Sequence, residues 1–204
     1  SKRELARQMD SAYYERYMLS SKKPLPDIVP QNVRGGILVT YVLEFLDLPA
    51  QYSEQTFKKA IIANLKKFIL EFGKDFSLIG EEYRVQVGGS DFYIDLLFYN
   101  RALSCLVPVE LKIGKFKPEH VGQINFYLEA LDRDVKKPHE NPSVGLVLCA
   151  SKDDAAVEYA LSRSISPTMV SDYTLYLPDK KILQDKLREL ADIAMEQHGT
   201  GRSK

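Results

Sequence analysis

Three side chains carry the chemistry that this sequence could do. Glu110 and Lys112 stand two apart in VPVELKIGKF (107–116), at the end of an apolar run, and Asp95 stands inside FYIDLLFY (92–99). Alternate residues of a strand face the same way, so Glu110 and Lys112 share a face with Leu106 and Pro108, while Val107, Val109 and Leu111 take the other. A lone ionised carboxylate in apolar surroundings is costly when left unpaired. Two neighbouring strands each put one there, and the economical explanation is that both face one spot and bind a cation. Oxygen ligands from two carboxylates, completed by waters and a phosphate, suit Mg²⁺. An ion held in this way would activate a water and stabilise the pentavalent phosphate. Lys112 would add positive charge beside the reacting phosphate or orient the water. The plainer alternative is a strand that has reached solvent, with Glu110 and Lys112 forming a weak surface pair.

The segment that follows adds to the pattern. KIGKFKPEH (112–120) brings Lys115, Lys117 and His120 to the entrance of a helix. A basic loop leading into a helix N-terminus is a natural phosphate seat, so these three are expected to touch a nucleic acid. Gln123 and Tyr127 are four apart on that helix and share a face. Gln123 is read as support for the metal-bound water and Tyr127 as a contact to the substrate backbone. The alternative is a solvated Gln123 and a half-buried packing Tyr127. His139, between two prolines, reads as a surface turn, and the pairs Lys58/Lys59 and Lys66/Lys67 as a solvated helix face, with a DNA track as the alternative.

The elements that must position these residues are legible from periodicity. A helix is predicted over 2–19, then a Pro- and Gly-rich linker, with one or two helical turns in TYVLEFLDLP (40–49). A long helix is predicted over 53–72, capped by Ser53 and closed by Gly73. Strands follow at 82–87, 92–99 and 103–112, joined by short turns that imply antiparallel neighbours. Pro108 falls in the strand expected to be central, where it would mark a bulge that turns Glu110 inward. A helix over about 117–132 leads to a buried strand at 143–150, expected to lie parallel to 103–112 through a right-handed crossover. A short helix (153–162), a weaker strand (173–178) and a C-terminal helix (180–197) complete the chain. The domain reading is 1–40 as N-terminal helix and linker and 41–204 as one α/β domain with a mixed central sheet flanked by helices.

Composition bounds the possibilities. The 204 residues are 45% hydrophobic, enough for one core, and the 28 basic and 28 acidic side chains cancel. No overall field advertises nucleic acid, so an anionic partner must be met by a local patch. Cys105 and Cys149 lie in apolar runs and read as free buried thiols of a reducing cytoplasm. No stretch has the length of a membrane span. The polar start, without Met or a signal-peptide core, fits a fragment or a trimmed chain. Zinc-ligand spacing, a Gly-rich phosphate loop and a serine-nucleophile motif do not occur.

Taken together, a helix, a three-stranded meander with Asp95, ELK with Glu110 and Lys112, a helix with Gln123 and Tyr127, and a parallel strand resemble the PDDEXK (restriction-endonuclease-like) nuclease superfamily. FYIDLLFYNRALSCLVPVELKIGKFKPEHVGQINFYLEALD and HENPSVGLVLCASKDDAAVEYAL are similar to the C-terminal nuclease domain of the bacterial YhcG-like proteins, over roughly residues 40–178. The resemblance implies an αβββαβ core with a short N-terminal helical arm. It implies Mg²⁺-dependent cleavage of phosphodiester bonds, with Mn²⁺ able to substitute, on DNA or alternatively RNA. Asp95 and Glu110 would be metal ligands, Lys112 the catalytic lysine, and Gln123 the glutamine of the exonuclease-like branch. A further carboxylate on the first helix is expected; Glu54 and Glu71 both lie on a plausible face, and Glu71 is favoured. A homodimer is expected from paired active sites and from the sticky face of Tyr13, Tyr14 and Tyr17. The competing readings are a catalytically silent nucleic-acid-binding or assembly module of the same fold, and an unrelated interaction protein.

Overall fold

The computed structural model describes residues 37–176, apart from 74 and 165. The expected helices at 2–19 and 180–197 and the tyrosine face of the former lie outside these residues. In chain order the elements are β1 (Thr40–Val42), α1 (Glu54–Ala63), α2 (Leu65–Phe72), β2 (Phe76–Val87), β3 (Ser90–Asn100), β4 (Cys105–Lys115), α3 (Glu119–Asp134), β5 (Gly145–Ser151), α4 (Asp154–Leu161) and β6 (Thr168–Thr174). One 3-10 turn, Glu44–Leu46, follows β1.

Turn chemistry builds the first half of the sheet. β2 and β3 are joined by Gly88 and Gly89, with φ of 57° and 82°, the left-handed values that a tight hairpin needs. β3 then pairs antiparallel with β4, and the α3 crossover returns the chain to β5, which pairs parallel with β4. The α4 crossover adds β6, also parallel, and β1 closes the edge beside it. The sheet order is β1-β6-β5-β4-β3-β2, the expected mixed α/β sheet.

The sheet forks at its middle. The β3–β4 ladder runs from Asn100↔Cys105 to Leu96↔Val109. Beyond it β3 continues to Ser90 on β2, and β4 continues to Lys115 on β5. The two central strands therefore diverge just where Asp95 and Glu110 stand.

Two cores hold the layers. On one face α1 and α2 bring Phe57, Ile61, Phe68 and Phe72 against Leu96, Phe98, Val109 and Leu148. Phe72 stacks on Tyr41 and on Phe98, with ring centroids 4.6 and 5.1 Å away. On the other face α3 brings Val121, Ile124, Tyr127 and Leu131 against Ile94, Leu97, Leu106 and Val147. Each fully buried side chain of this size contributes about 1.5–3 kcal/mol. Cys105 and Cys149 are buried and free, as expected.

Several expected boundaries are corrected. The helix predicted over 53–72 breaks at Asn64, with φ −110° and ψ 23°. Its side-chain amide donates to Ala60 O at 3.1 Å, so the asparagine competes for its own helix's acceptors. Ser53 caps the start as expected, accepting from Thr56 N. The strand predicted at 173–178 lies at Thr168–Thr174, because Thr168 to Asp172 pair with β5. Residues 40–42, predicted to be helical, form β1. Pro108 faces Leu97 in unbroken register, so it marks no bulge; the irregularity in β4 falls between Lys112 and Lys115.

Candidate active site

The fork opens a cleft of about 420 Å³ lined by Glu54, Lys58, Glu82, Tyr93, Asp95, Glu110, Lys112 and Gln123. Each wall comes from a different element. α1 presents Glu54 and Lys58, one turn apart. β3 presents Tyr93 and Asp95, β4 presents Glu110 and Lys112, and α3 presents Gln123.

Asp95 replaces a missing rung of the ladder. Its Oδ2 accepts from Leu111 N at 2.8 Å, two residues beyond Val109 of the last ladder pair. Its Oδ1 accepts from Lys58 Nζ at 2.5 Å. Lys58 also meets Glu54 Oε1 at 3.2 Å. Burial alone would lower the Lys58 pKa, but the bond and charge of Asp95, with Glu54 behind, raise it instead.

Glu110 is only 2% exposed. Its Oε1 accepts from Lys112 Nζ at 2.8 Å and from Gln123 Nε2 at 2.9 Å. Its Oε2 is buried and has no hydrogen-bond partner. Burial, and then the charge of Asp95, push the Glu110 carboxyl above its ordinary value against the pull of Lys112. Lys112 is also raised, because Glu110, Glu54 and Asp95 outweigh the opposing effect of burial. Gln123 is itself held, since its Nε2 lies 3.2 Å from Tyr127 Oη, which donates to Tyr93 O at 2.9 Å. A buried carboxylate oxygen without a donor, beside a second carboxylate, fits a hard divalent cation. Among the described residues no three His, Cys, Asp or Glu side chains close into a cage. Lys58 lies between Asp95 and Glu54, and Lys112 lies 2.8 Å from Glu110 and 4.0 Å from Glu54, so ammonium groups interleave the acids.

The family profile of the YhcG PDDEXK nuclease domain matches residues 36–188. The chain belongs to that family. It is 40% identical over 196 residues to an Escherichia coli (strain K12) protein named "Putative nuclease YhcG", covering 92% of this chain and 52% of that protein. The chain thus spans about half the length of this curated relative. Two solved structures show a weaker likeness. A repair endonuclease from Pyrococcus abyssi has TM-score 0.40 and 16% identity over 64% of this chain and 50% of its own. EndoMS in apo form has TM-score 0.38 and 18% identity over 65% and 49%.

Within this YhcG-family fold, Asp95, Glu110, Lys112 and Gln123 are brought together in one cleft. Glu71 is not. It is buried elsewhere, its Oε1 accepting from Val42 N at 2.9 Å, and the first-helix carboxylate that reaches the cleft is Glu54. Glu54 opens α1 and Glu71 closes α2, 17 residues on; at about 1.5 Å per residue the helical segment is too long for both to reach one cleft. Tyr127 is buried, with its hydroxyl engaged by Tyr93 and Gln123, so it braces the site rather than meeting the substrate backbone. His120 is 9% exposed; its Nδ1 accepts from Lys117 N at 3.2 Å and its ring packs edge-on to Phe116. That is a role inside the turn, not at its surface. Lys115 is exposed and Lys117 pairs with Glu119 at 3.4 Å; neither lines the cleft.

Sequence reasoning missed Lys58, Tyr93 and Glu82. Lys58 stands four after Glu54, a spacing that was available as a signal. Glu82 carries none. It sits between the pairs Glu81↔Leu96 and Tyr83↔Ile94, level with Asp95, and its φ is 42°, which costs a non-glycine residue about 1–2 kcal/mol.

Proposed function

We propose that this chain hydrolyses phosphodiester bonds in DNA using a divalent ion, Mg²⁺ or Mn²⁺, held by Asp95 and Glu110 with Glu54 at the rim. The observation that carries this reading is the buried Oε2 of Glu110, which has no hydrogen-bond partner, on a residue that lines the cleft together with Asp95. When bound, the ion supplies an activated water and neutralises charge on the phosphate. Lys112, bonded to Glu110 at 2.8 Å, is placed to add positive charge beside the phosphate and to orient the attacking water. Gln123 fixes the carboxyl plane of Glu110, and Tyr127 fixes Gln123. Lys115 and Lys117 flank the start of α3, suited to phosphates next to the scissile one. Pairing of two copies on the two strands is part of the proposal and is checked by sedimentation.

The test incubates the chain with supercoiled plasmid, and in parallel with RNA, with Mg²⁺, Mn²⁺ or EDTA. Nicking by the wild type with metal alone is expected. Asp95→Asn and Glu110→Gln are expected to lose more than about 100-fold, the upper range for loss of a merely supporting group. A second reading, a silent nucleic-acid-binding module, is favoured by one observation: each carboxylate already has a lysine partner. Salt-dependent DNA binding with no metal-dependent nicking would establish it.

A further inference from the structure

The two carboxylates of the cleft are not equally ready for an ion. Glu110 keeps Oε2 without a donor, because Lys112 and Gln123 both bond Oε1. Asp95 has both oxygens taken, Oδ2 by Leu111 N and Oδ1 by Lys58 Nζ. A cation that reaches Glu110 Oε2 and also shares Asp95 meets the Lys58 ammonium 2.5 Å from Oδ1, and the two positive charges compete for that oxygen. The ammonium is well placed to yield. The Lys58 side chain is 30% exposed, and that of Glu54, its second partner 3.2 Å away, is 40% exposed at the mouth of the cleft.

We propose that Lys58 is a built-in competitor for the divalent ion: its ammonium bridges Asp95 and Glu54 until the ion displaces it from Asp95. This rests on the metal-site reading above. In the metal-free protein Lys58 offsets the repulsion between Asp95 and Glu110 and holds Asp95 in position. When the ion binds, that positive charge becomes redundant at Asp95 and is released toward Glu54 at the cleft mouth. Apparent metal affinity is then reduced by the fraction of molecules in which Lys58 still holds Asp95. Lys112 does not compete in this way, because its bond leaves Oε2 of Glu110 open.

The experiment measures Mn²⁺ binding to the 204-residue chain by calorimetry without nucleic acid, and thermal unfolding with and without Mn²⁺. Lys58→Met keeps the apolar stem and removes the charge. It is expected to bind Mn²⁺ about tenfold more tightly, since the competing population is gone, and to melt lower without metal but gain more from metal than the wild type. Lys58→Gln, a second neutral variant, is expected to behave the same way. Lys58→Arg keeps a cation on Asp95 and is expected to show no gain. Unchanged or weaker binding in both neutral variants, with the wild type binding Mn²⁺, overturns the role of Lys58 alone. No Mn²⁺ binding by the wild type or any Lys58 variant, matching an Asp95→Asn control, overturns the metal site and this inference together.

Discussion

Glu54 and Glu71 show how little a residue's type says about its work. Both are glutamates of the first helical segment, spacing puts both on a plausible face, and the expectation from the resemblance is Glu71. In the fold, Glu71 secures β1 by accepting from Val42 N–H, whereas Glu54 stands at the cleft with Lys58 and Lys112. Their substitutions should therefore separate stability from binding. Glu71→Ala leaves a buried N–H without its acceptor and is expected to cost about 1–3 kcal/mol in urea unfolding, with Mn²⁺ affinity unchanged. Glu54→Ala is expected to do the reverse: little change in unfolding and weaker Mn²⁺ binding by calorimetry. Equal effects of both on metal would contradict this assignment. Asp95 and Glu110 were legible because a charge inside an apolar strand needs a reason. Lys58 was not, because it looks like Lys59, Lys66 and Lys67, and only its place on α1, one turn after Glu54, brings it to the cleft.

Among the elements, those with a local marker or a continuous apolar run, such as β5, were readable, whereas β1 and the bounds of β6 were not. The β2–β3 hairpin announces itself by Gly88–Gly89, and the caps by Ser53 and by Asp153, which accepts from Ala156 N. β1 and β6 pair parallel with partners far along the chain, so nothing nearby marks their ends. The start of α3 is an intermediate case, since His120 was visible but its task was not. Its Nδ1 must be unprotonated to accept from Lys117 N. Burial, and next the charge of Lys112, lower the His120 pKa. The sign follows from linkage. A histidine depressed in the fold binds fewer protons than in the unfolded chain, where its value is about 6.5. Stability is thus fully present above that value and is lost as pH falls from it toward the lowered folded value. Calorimetric melts are expected to drop between pH 7.5 and 5. His120→Ala should flatten that part of the profile and cost about 1 kcal/mol at pH 7.5 for the missing bond. A wild-type profile as flat as the variant's would remove His120 from this role.

At the scale of the whole molecule, the geometry of the cleft depends on how closely α3 sits on the sheet, since α3 carries Gln123 while β4 carries Glu110. Gly145, at the start of β5, sets that approach. A Cβ there would lie 2.7 Å from Ile124 Cγ1 and 3.2 Å from both Leu128 Cδ1 and Thr168 Oγ1. Ile124 is fully buried, so it has nowhere to retreat, and α3 must lift. Gly145→Ala is expected to cost about 1–3 kcal/mol, the usual range for overpacking. Because Gln123 adjoins Ile124, its 2.9 Å bond to Glu110 should lengthen, and nicking by the folded fraction should slow with DNA affinity nearly unchanged. Gly122→Ala, on the same helix but with nothing within 4 Å of its added Cβ, should instead stabilise by about 0.5–1 kcal/mol and leave nicking intact. Opposite signs from one methyl at the α3–sheet interface and one on the exposed face of α3 would tie activity to the seating of α3 rather than to helix strength. If Gly145→Ala proved as stable and active as Gly122→Ala, the helix would not be held where the buried contacts put it.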